Sequence, residues 1–334
     1  MAELTRLEEQ ALIAVAALHL FEQKADRRGV DFAGWGLFDR TRGELGNEIG
    51  GLVAKELLRE DDGIFALTER GVEASKEADE KFVEEAYEED WKKGTQSKAT
   101  AEFCESVFGR DLCQTNFTDM EQLDELVEAL ELKPGESVFD LGCGTGMITE
   151  YISDQTGASV TGLDYAAQAV RIARERCRGK GDRLSFVEGD MNDLDLPENS
   201  FDAVTSIDTL YFAGNLEKTV GDLKGMLKPE GRMGIFYTIV IKPGESSDLL
   251  LPESCILGKA LEANGLAFKT RDCTENLREV LTRMRDTAEE MKDAFEQEEF
   301  RRKYFFSYVE GDGGLKMLED GRSTRYLFLA KLPS

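Results

Sequence analysis

The chain has 334 residues, long for one domain and comfortable for two. Its 67 acidic residues against 41 basic ones give a net charge of −26, and no local basic patch reverses a sign that repels nucleic-acid phosphates and anionic membranes. No apolar run approaches the roughly 20 residues of a membrane span, no secretory leader is read, and six scattered cysteines form no CxxC pair, so a cytoplasmic protein with reduced thiols and no metal centre is expected.

Residues 1–95 read as mainly helical. "LEEQALIAVAALHLFEQ" carries a broad apolar stripe, and the single histidine of the chain, His19, lies on it and is expected to pack in a core. A further helix, an Asp61-Asp62-Gly63 turn, a short strand "IFAL" and a helix opened by Thr68 as N-cap follow. That order is the pattern of a winged-helix module. With 23 acids and 13 bases over these residues a phosphate-contacting surface is disfavoured, and pairing of two chains or covering of an active site is expected instead.

"EEAYEEDWKKGTQSK" reads as a charged linker into a second domain over residues 96–334. Two helices around the loop "FGRDLCQTNF" lead to strands at "VFDLG", "SVTGLDY", "LSFVEGDM", "FDAVTSID", "RMGIFYTIV", "LAFKTRDC" and "RYLFLAKL", with helical crossovers between most of them. This alternation predicts an α/β doubly wound, mostly parallel sheet, whose ligands bind at the carboxyl ends of the strands. About residues 274–310, Leu277, Val280, Leu281, Met284, Met291 and Phe295 recur at helical spacing, which reads as a helical insertion, either packed in a core or serving as a lid.

Unusual residues gather at those strand ends. Gly142, Gly144 and Gly146 are spaced G-x-G-x-G, with Met147 where a dinucleotide fingerprint has its last glycine and Asp140 just before the loop. Both departures disfavour a diphosphate. Asp164 ends the second strand of this series, where a carboxylate can accept both hydroxyls of a ribose. Asp190 ends the third and can accept from an adenine amino group, with Tyr165 and Met191 as apolar faces for the ring. Together they suit an adenosine whose 5′ substituent carries no phosphates.

"VFDLGCGTG", "VTGLDYA", "FVEGDMNDLDLPENSFDAVTSIDTLYF" and "LKPEGRMGIFY" resemble the successive motifs of class I S-adenosylmethionine-dependent methyltransferases, over about residues 100–332. The resemblance implies a Rossmann-like seven-stranded sheet whose last strand runs antiparallel. It implies S-adenosyl-L-methionine as donor and S-adenosyl-L-homocysteine as product, held by Asp140, Gly142, Gly144, Gly146, Asp164, Tyr165, Asp190, Met191 and Ile207. "FGRDLCQTNF" is similar to the segment that roofs the active site in glycine/sarcosine N-methyltransferases and ubiquinone C-methyltransferases, which places Phe108, Gln114 and Phe117 on the acceptor side, with Tyr237 at the fifth strand's end. Many such enzymes have a histidine near the position of Gln114. The N-terminal module is loosely similar to the dimerisation domain of plant-type O-methyltransferases, which implies a homodimer through residues 1–95.

A sulfonium methyl is already activated, so the protein mainly aligns the acceptor and excludes water. Without a histidine in this domain, a carboxylate or phenol is the remaining choice of base, and Asp208 with Tyr211 in "SIDTLYF" are the candidates. The expected activity is methyl transfer to a small molecule, at N or O. The alternatives are an RNA or protein methyltransferase, a non-catalytic donor-binding regulator, and arsenite or thiol S-methylation through Cys104, Cys113 and Cys255.

Overall fold

The computed structural model describes residues 4–41 and 43–332, which divide into two compact units. The first takes in the chain up to Phe103 together with Leu281–Lys316, and the second takes in Cys104–Val280 and the chain from Met317.

The first unit opens with helices α1 (Arg6–Leu20), α2 (Arg27–Phe38) and α3 (Glu44–Ala54). Thr5 and Glu8 close a reciprocal capping box on α1, and the Asp26 carboxylate accepts from the Gly29 N–H to cap α2. Strands β1 (Leu58–Asp61) and β2 (Ile64–Leu67) pair antiparallel around Asp62 and Gly63, both at positive φ (49° and 77°) as a two-residue hairpin requires. The sequence reading found β2 and the turn but not β1, because Arg59, Glu60 and Asp61 all face solvent and leave no alternation. Thr68 caps α4 (Glu69–Gly94) by accepting from the Gly71 N–H. The stretch read as a charged linker is helical as far as Gly94, since Glu, Lys and Ala are good helix formers whatever their charge. His19 is a second correction: it is exposed in the last turn of α1, off the buried stripe of Leu12, Val15 and Leu18.

The segment expected as an insertion forms α11 (Thr274–Glu290), α12 (Lys292–Gln297) and α13 (Arg301–Glu319), and its Leu281–Lys316 part belongs to the first unit. Phe305 of α13 lies so close to α2 that a side chain at Gly36 would come within 2.6 Å of it. Of the periodic positions, Leu277, Val280, Leu281, Met284 and Phe295 are buried, and Met291 is half-buried.

In the second unit α5 (Lys98–Phe108, which begins in the first) and α6 (Met120–Leu130) precede the sheet. Its strands are β3 (Ser137–Leu141), β4 (Ser159–Asp164), β5 (Leu184–Glu188), β6 (Phe201–Ile207), β7 (Leu227–Val240), β8 (Ala267–Asp272) and β9 (Ser323–Lys331). Helices α7 (Met147–Thr156), α8 (Ala167–Arg176), α9 (Leu216–Met226) and α10 (Ile256–Ala263) complete it. The sheet order is β5-β4-β3-β6-β7-β9-β8, parallel except at β9, which runs antiparallel to both neighbours. β3 and β6 at the centre are almost wholly buried, whereas the edge strand β8 is mostly exposed and charged, which suits an edge that must not pair further. The strand order reverses at β3, with β4 on one side and β6 on the other, so a crevice is expected outside their carboxyl ends.

Candidate active site

The glycine loop leaves β3 at the sheet's carboxyl edge. Gly142, Gly144 and Gly146 all adopt left-handed φ (74°, 52° and 72°), which only glycine takes without strain. The Gly142 and Cys143 N–H groups donate to the Leu163 carbonyl at 2.7 and 3.0 Å, folding the loop against the end of β4. A Cβ at Gly142 would overlap the Thr209 methyl, and one at Gly146 would meet the Phe186 ring at 2.5 Å. The loop is thus wedged from both sides, and its first and last glycines are demanded by space as well as by φ.

Asp164 completes this unit. Its Oδ2 accepts from the Gly144 N–H at 2.8 Å and its Oδ1 from the Ala166 N–H at 2.9 Å. Burial pushes its carboxyl up from the usual range, and these backbone donors oppose the shift. The Tyr165 N–H also donates to this carboxylate, whose two oxygens offer about four acceptor positions in all, so capacity remains for a hydroxyl donor. Asp190 is exposed, and its Oδ1 accepts from both the backbone and side-chain N–H of Asn192, each at 2.8 Å. Met191 is half-buried, Ile207 is buried, and Tyr165 is exposed beside Asp164.

Asp140 behaves differently from a ligand-facing acid. It is buried, and its two oxygens accept from the hydroxyls of Thr149 (2.6 Å) and Thr205 (2.9 Å). It ties α7 and β6 beneath the loop, so this carboxylate is corrected to a support of the glycine loop. Burial raises its pKa, and Asp164 adds to the rise.

Asp208, just past β6, sits at left-handed φ (55°) with a nearly buried side chain. Arg325 of β9, wholly buried, grips it bidentately: Nη1 to Oδ1 at 2.6 Å and Nη2 to Oδ2 at 2.8 Å. Oδ1 also accepts from the Tyr211 hydroxyl (2.8 Å), and Oδ2 from the Phe117 N–H (3.1 Å). The Tyr211 oxygen in turn accepts from the Thr238 N–H at 2.6 Å. Four donors therefore occupy the carboxylate and tie it to β9, Phe117 and Tyr211. Tyr211 is 37% exposed, its hydroxyl is held between Asp208 and the Thr238 N–H, and burial beside the Asp208 charge pushes the phenol well above its usual range. Its ring lies 4.6 Å from that of Tyr237, whose own phenol burial pushes up to about 12.

On the expected acceptor side, Phe108 and Gln114 are buried, and the Gln114 Oε1 accepts from the Leu112 N–H. Phe117 is half-buried and enters the network through its backbone. All six cysteines are buried. Cys255 caps α10 through its sulfur, and burial raises its thiol pKa, which is unfavourable for thiolate chemistry. Among the described residues no group of His, Cys, Asp or Glu is arranged to hold a metal ion, and no helix is long and apolar enough to cross a membrane.

Sequence reasoning missed Arg325, Gln122, Thr118 and Thr209. A signal for the first was present: an arginine inside the apolar strand "RYLFLAKL" must be paired if that strand is central. Nothing in the sequence named its partner.

Residues 139–235 match a family described as "Methyltransferase domain". A sterol 24-C-methyltransferase of Gibberella zeae is 36% identical over 127 residues, 37% of this chain and 33% of that protein. The chain thus spans about a third of the length of this and two other sterol 24-C-methyltransferases that it matches. Among solved structures, a Haemonchus contortus phosphoethanolamine N-methyltransferase bound to phosphomonomethylethanolamine and S-adenosylhomocysteine superposes with TM-score 0.60 at 20% identity, covering 71% of this chain and 58% of that one. The [4+2]-cyclase SpnF superposes at 0.53 with 21% identity, covering 64% and 81%. The sheet order with its antiparallel β9, the glycine loop tied to Asp164 and the family match agree: residues 139–235 carry a methyltransferase domain, on the fold of the phosphoethanolamine N-methyltransferase.

Proposed function

We propose that this chain moves a methyl group from S-adenosyl-L-methionine to a small-molecule acceptor and releases S-adenosyl-L-homocysteine. The observation that carries the reading is the Asp164 carboxylate, fixed by the Gly144 and Ala166 N–H groups beside a loop of glycines at positive φ. The residues present fit the donor. A diol-accepting carboxylate and a side-chain-free loop suit an adenosine with a slim, phosphate-free 5′ substituent, and Asp190, Tyr165, Met191 and Ile207 stand at the neighbouring strand ends for the base.

When bound, the donor supplies an activated methyl on a positively charged sulfur. The chain's part is then to hold, orient and dry the site. Asp164 and the loop hold the donor. Asp208, occupied by four donors, anchors the end of β6, and the paired rings of Tyr211 and Tyr237 form a wall on the acceptor side. An acceptor in this site arrives with its nucleophilic electron pair already available, because Asp208 and Tyr211, the candidate bases, are both held in the Arg325 network. A sterol carbon and a phosphoethanolamine nitrogen are the acceptors named for two kinds of relative.

Residues 1–95 are proposed to pair two chains or cover the site, and the acid excess supports a protein without nucleic-acid or membrane partners that works in the cytoplasm. Calorimetry with S-adenosylhomocysteine, followed by transfer of labelled methyl into fractionated metabolite extracts, tests the function. No binding of S-adenosylhomocysteine overturns it. Binding without any labelled product moves the chain to the non-catalytic reading, or to chemistry other than methyl transfer, which the cyclase SpnF carries out on this fold.

A further inference from the structure

The guanidinium of Arg325 has no solvent exposure, and each of its five N–H groups has a partner. Nε donates to Gln122 Oε1 (3.0 Å), Nη1 to Asp208 Oδ1 (2.6 Å) and Thr238 Oγ1 (2.9 Å), and Nη2 to Asp208 Oδ2 (2.8 Å) and Thr118 Oγ1 (2.8 Å). Its face lies over the Phe236 ring, 4.9 Å from the centroid. These partners come from four places: the end of β6, β7, the 117–118 turn and the first turns of α6. Gln122 Nε2 donates to the Phe117 carbonyl at 3.0 Å while the Phe117 N–H donates to Asp208, so Arg325, Gln122, Phe117 and Asp208 close a ring of bonds.

Two features set this apart from an ordinary buried ion pair. Asp208 holds a left-handed φ that a non-glycine residue takes at a cost, and such strain is retained where a side chain must be aimed. The pair also reaches the partly exposed Tyr211, whose hydroxyl is held between Asp208 and the Thr238 N–H. From this geometry we infer that Arg325 is a positioning residue: through Asp208 it fixes the Phe117–Thr118 turn and Tyr211, and so builds the acceptor side of the pocket on one rigid ion pair. The word acceptor rests on the function proposed above. The clamp itself does not. The donor loop is held chiefly by other bonds, to Leu163 and Asp164, and meets the Asp208 segment at Thr209, whose hydroxyl donates to the Leu141 carbonyl.

The test compares the full chain with Arg325→Lys, Arg325→Met and Asp208→Asn variants by peptide-resolved hydrogen exchange and by calorimetry with S-adenosylhomocysteine. Lysine keeps the charge but cannot engage both carboxylate oxygens, Thr118 and Gln122 together. Exchange in the peptide covering residues 112–119 is expected to rise at least about tenfold in the Lys variant, as loss of charge-assisted bonds predicts. Exchange in the glycine loop should stay unchanged, and S-adenosylhomocysteine affinity should stay within about threefold because the lost bonds lie outside its site. Normal protection of residues 112–119 in Arg325→Lys would show that charge alone suffices and overturn the proposal. So would a uniform rise across the second unit, which marks a purely structural pair. If Arg325→Met fails to fold, Asp208→Asn, which keeps the shape but leaves one accepting oxygen where the carboxylate has two, carries the same two outcomes. Failure of the wild-type chain to bind S-adenosylhomocysteine would sink the proposed function while leaving the exchange result to decide the clamp.

Discussion

The Gly144 N–H and the Asp164 carboxylate are joined at 2.8 Å across two strands, so the glycine loop and the acid that ends β4 are one structural object. Either residue alone is a common turn element. Joined, they form a surface with an open backbone and a carboxylate that still has capacity to accept.

Replacing Asp164 with Ala removes the ligand's acceptor and releases the Gly144 N–H. Donor-site affinity is expected to fall by about 1.5–3 kcal/mol, the range for hydrogen bonds to charged groups. Calorimetry with S-adenosylhomocysteine reads this directly, and an unchanged affinity in a folded variant would remove Asp164 from the site.

Gly142→Ala places a methyl group against Thr209 at a φ of 74°. The backbone conformation alone should cost about 1–3 kcal/mol, and the overlap adds to it. A lower unfolding midpoint together with loss of S-adenosylhomocysteine binding is expected. Urea melts and calorimetry with S-adenosylhomocysteine check both, and an unchanged midpoint would refute the overlap.

Breaking the Asp208–Arg325 pair from one side leaves a buried charge uncompensated. Arg325→Met is expected to destabilise by about 3–5 kcal/mol. The double variant Arg325→Met with Asp208→Asn should lose less than the sum of the two single changes, because the neutral amide no longer needs a cation. Additive losses in denaturant would mean that the two side chains are not coupled.

Asp90 in the first unit is pushed up to about 6 by burial, against the opposing pull of Arg302 at 2.9 Å. The sign follows from proton uptake: between the ordinary value of 3.8 and about 6 the folded state binds more protons at this group, so its contribution to stability falls as pH rises. The span corresponds to at most about 3 kcal/mol, and to less here because 29% of the side chain is exposed. Asp90→Asn should therefore gain stability relative to wild type between pH 4 and pH 7, approximate limits that bracket this window. Parallel melts of the two proteins over that range check it, and a constant difference would refute the linkage.

His19 is exposed at the end of α1, so His19→Gln should change stability by no more than about 0.5 kcal/mol. Labelled methyl transfer should be unaffected. A large loss of turnover in this variant would place the first unit in the chemistry.

What the amino-acid order settled was whatever local period and chain geometry dictate. The apolar runs of β3 and β6, the glycines at alternate positions and the acids closing β4 and β5 are short-range features, because a strand's end and a turn's φ are decided within a few residues. Hence the sheet's strands, the loop and Asp164 were legible before any coordinates. The exposed charged strand β1 was not, since only its pairing with β2 makes it a strand. Nor was the helical state of residues 84–94, where charge density masked helix propensity. The tertiary structure alone decided the partners. Asp140 and Asp164 look equivalent as acids closing adjacent strands, yet Thr149 and Thr205 claim one and backbone N–H groups hold the other. Asp208 looked like a base until Arg325, 117 residues further along the chain, was found on it. Which charge a buried carboxylate meets depends on contacts between distant segments, and it is burial in common, not order in sequence, that forces them to pair.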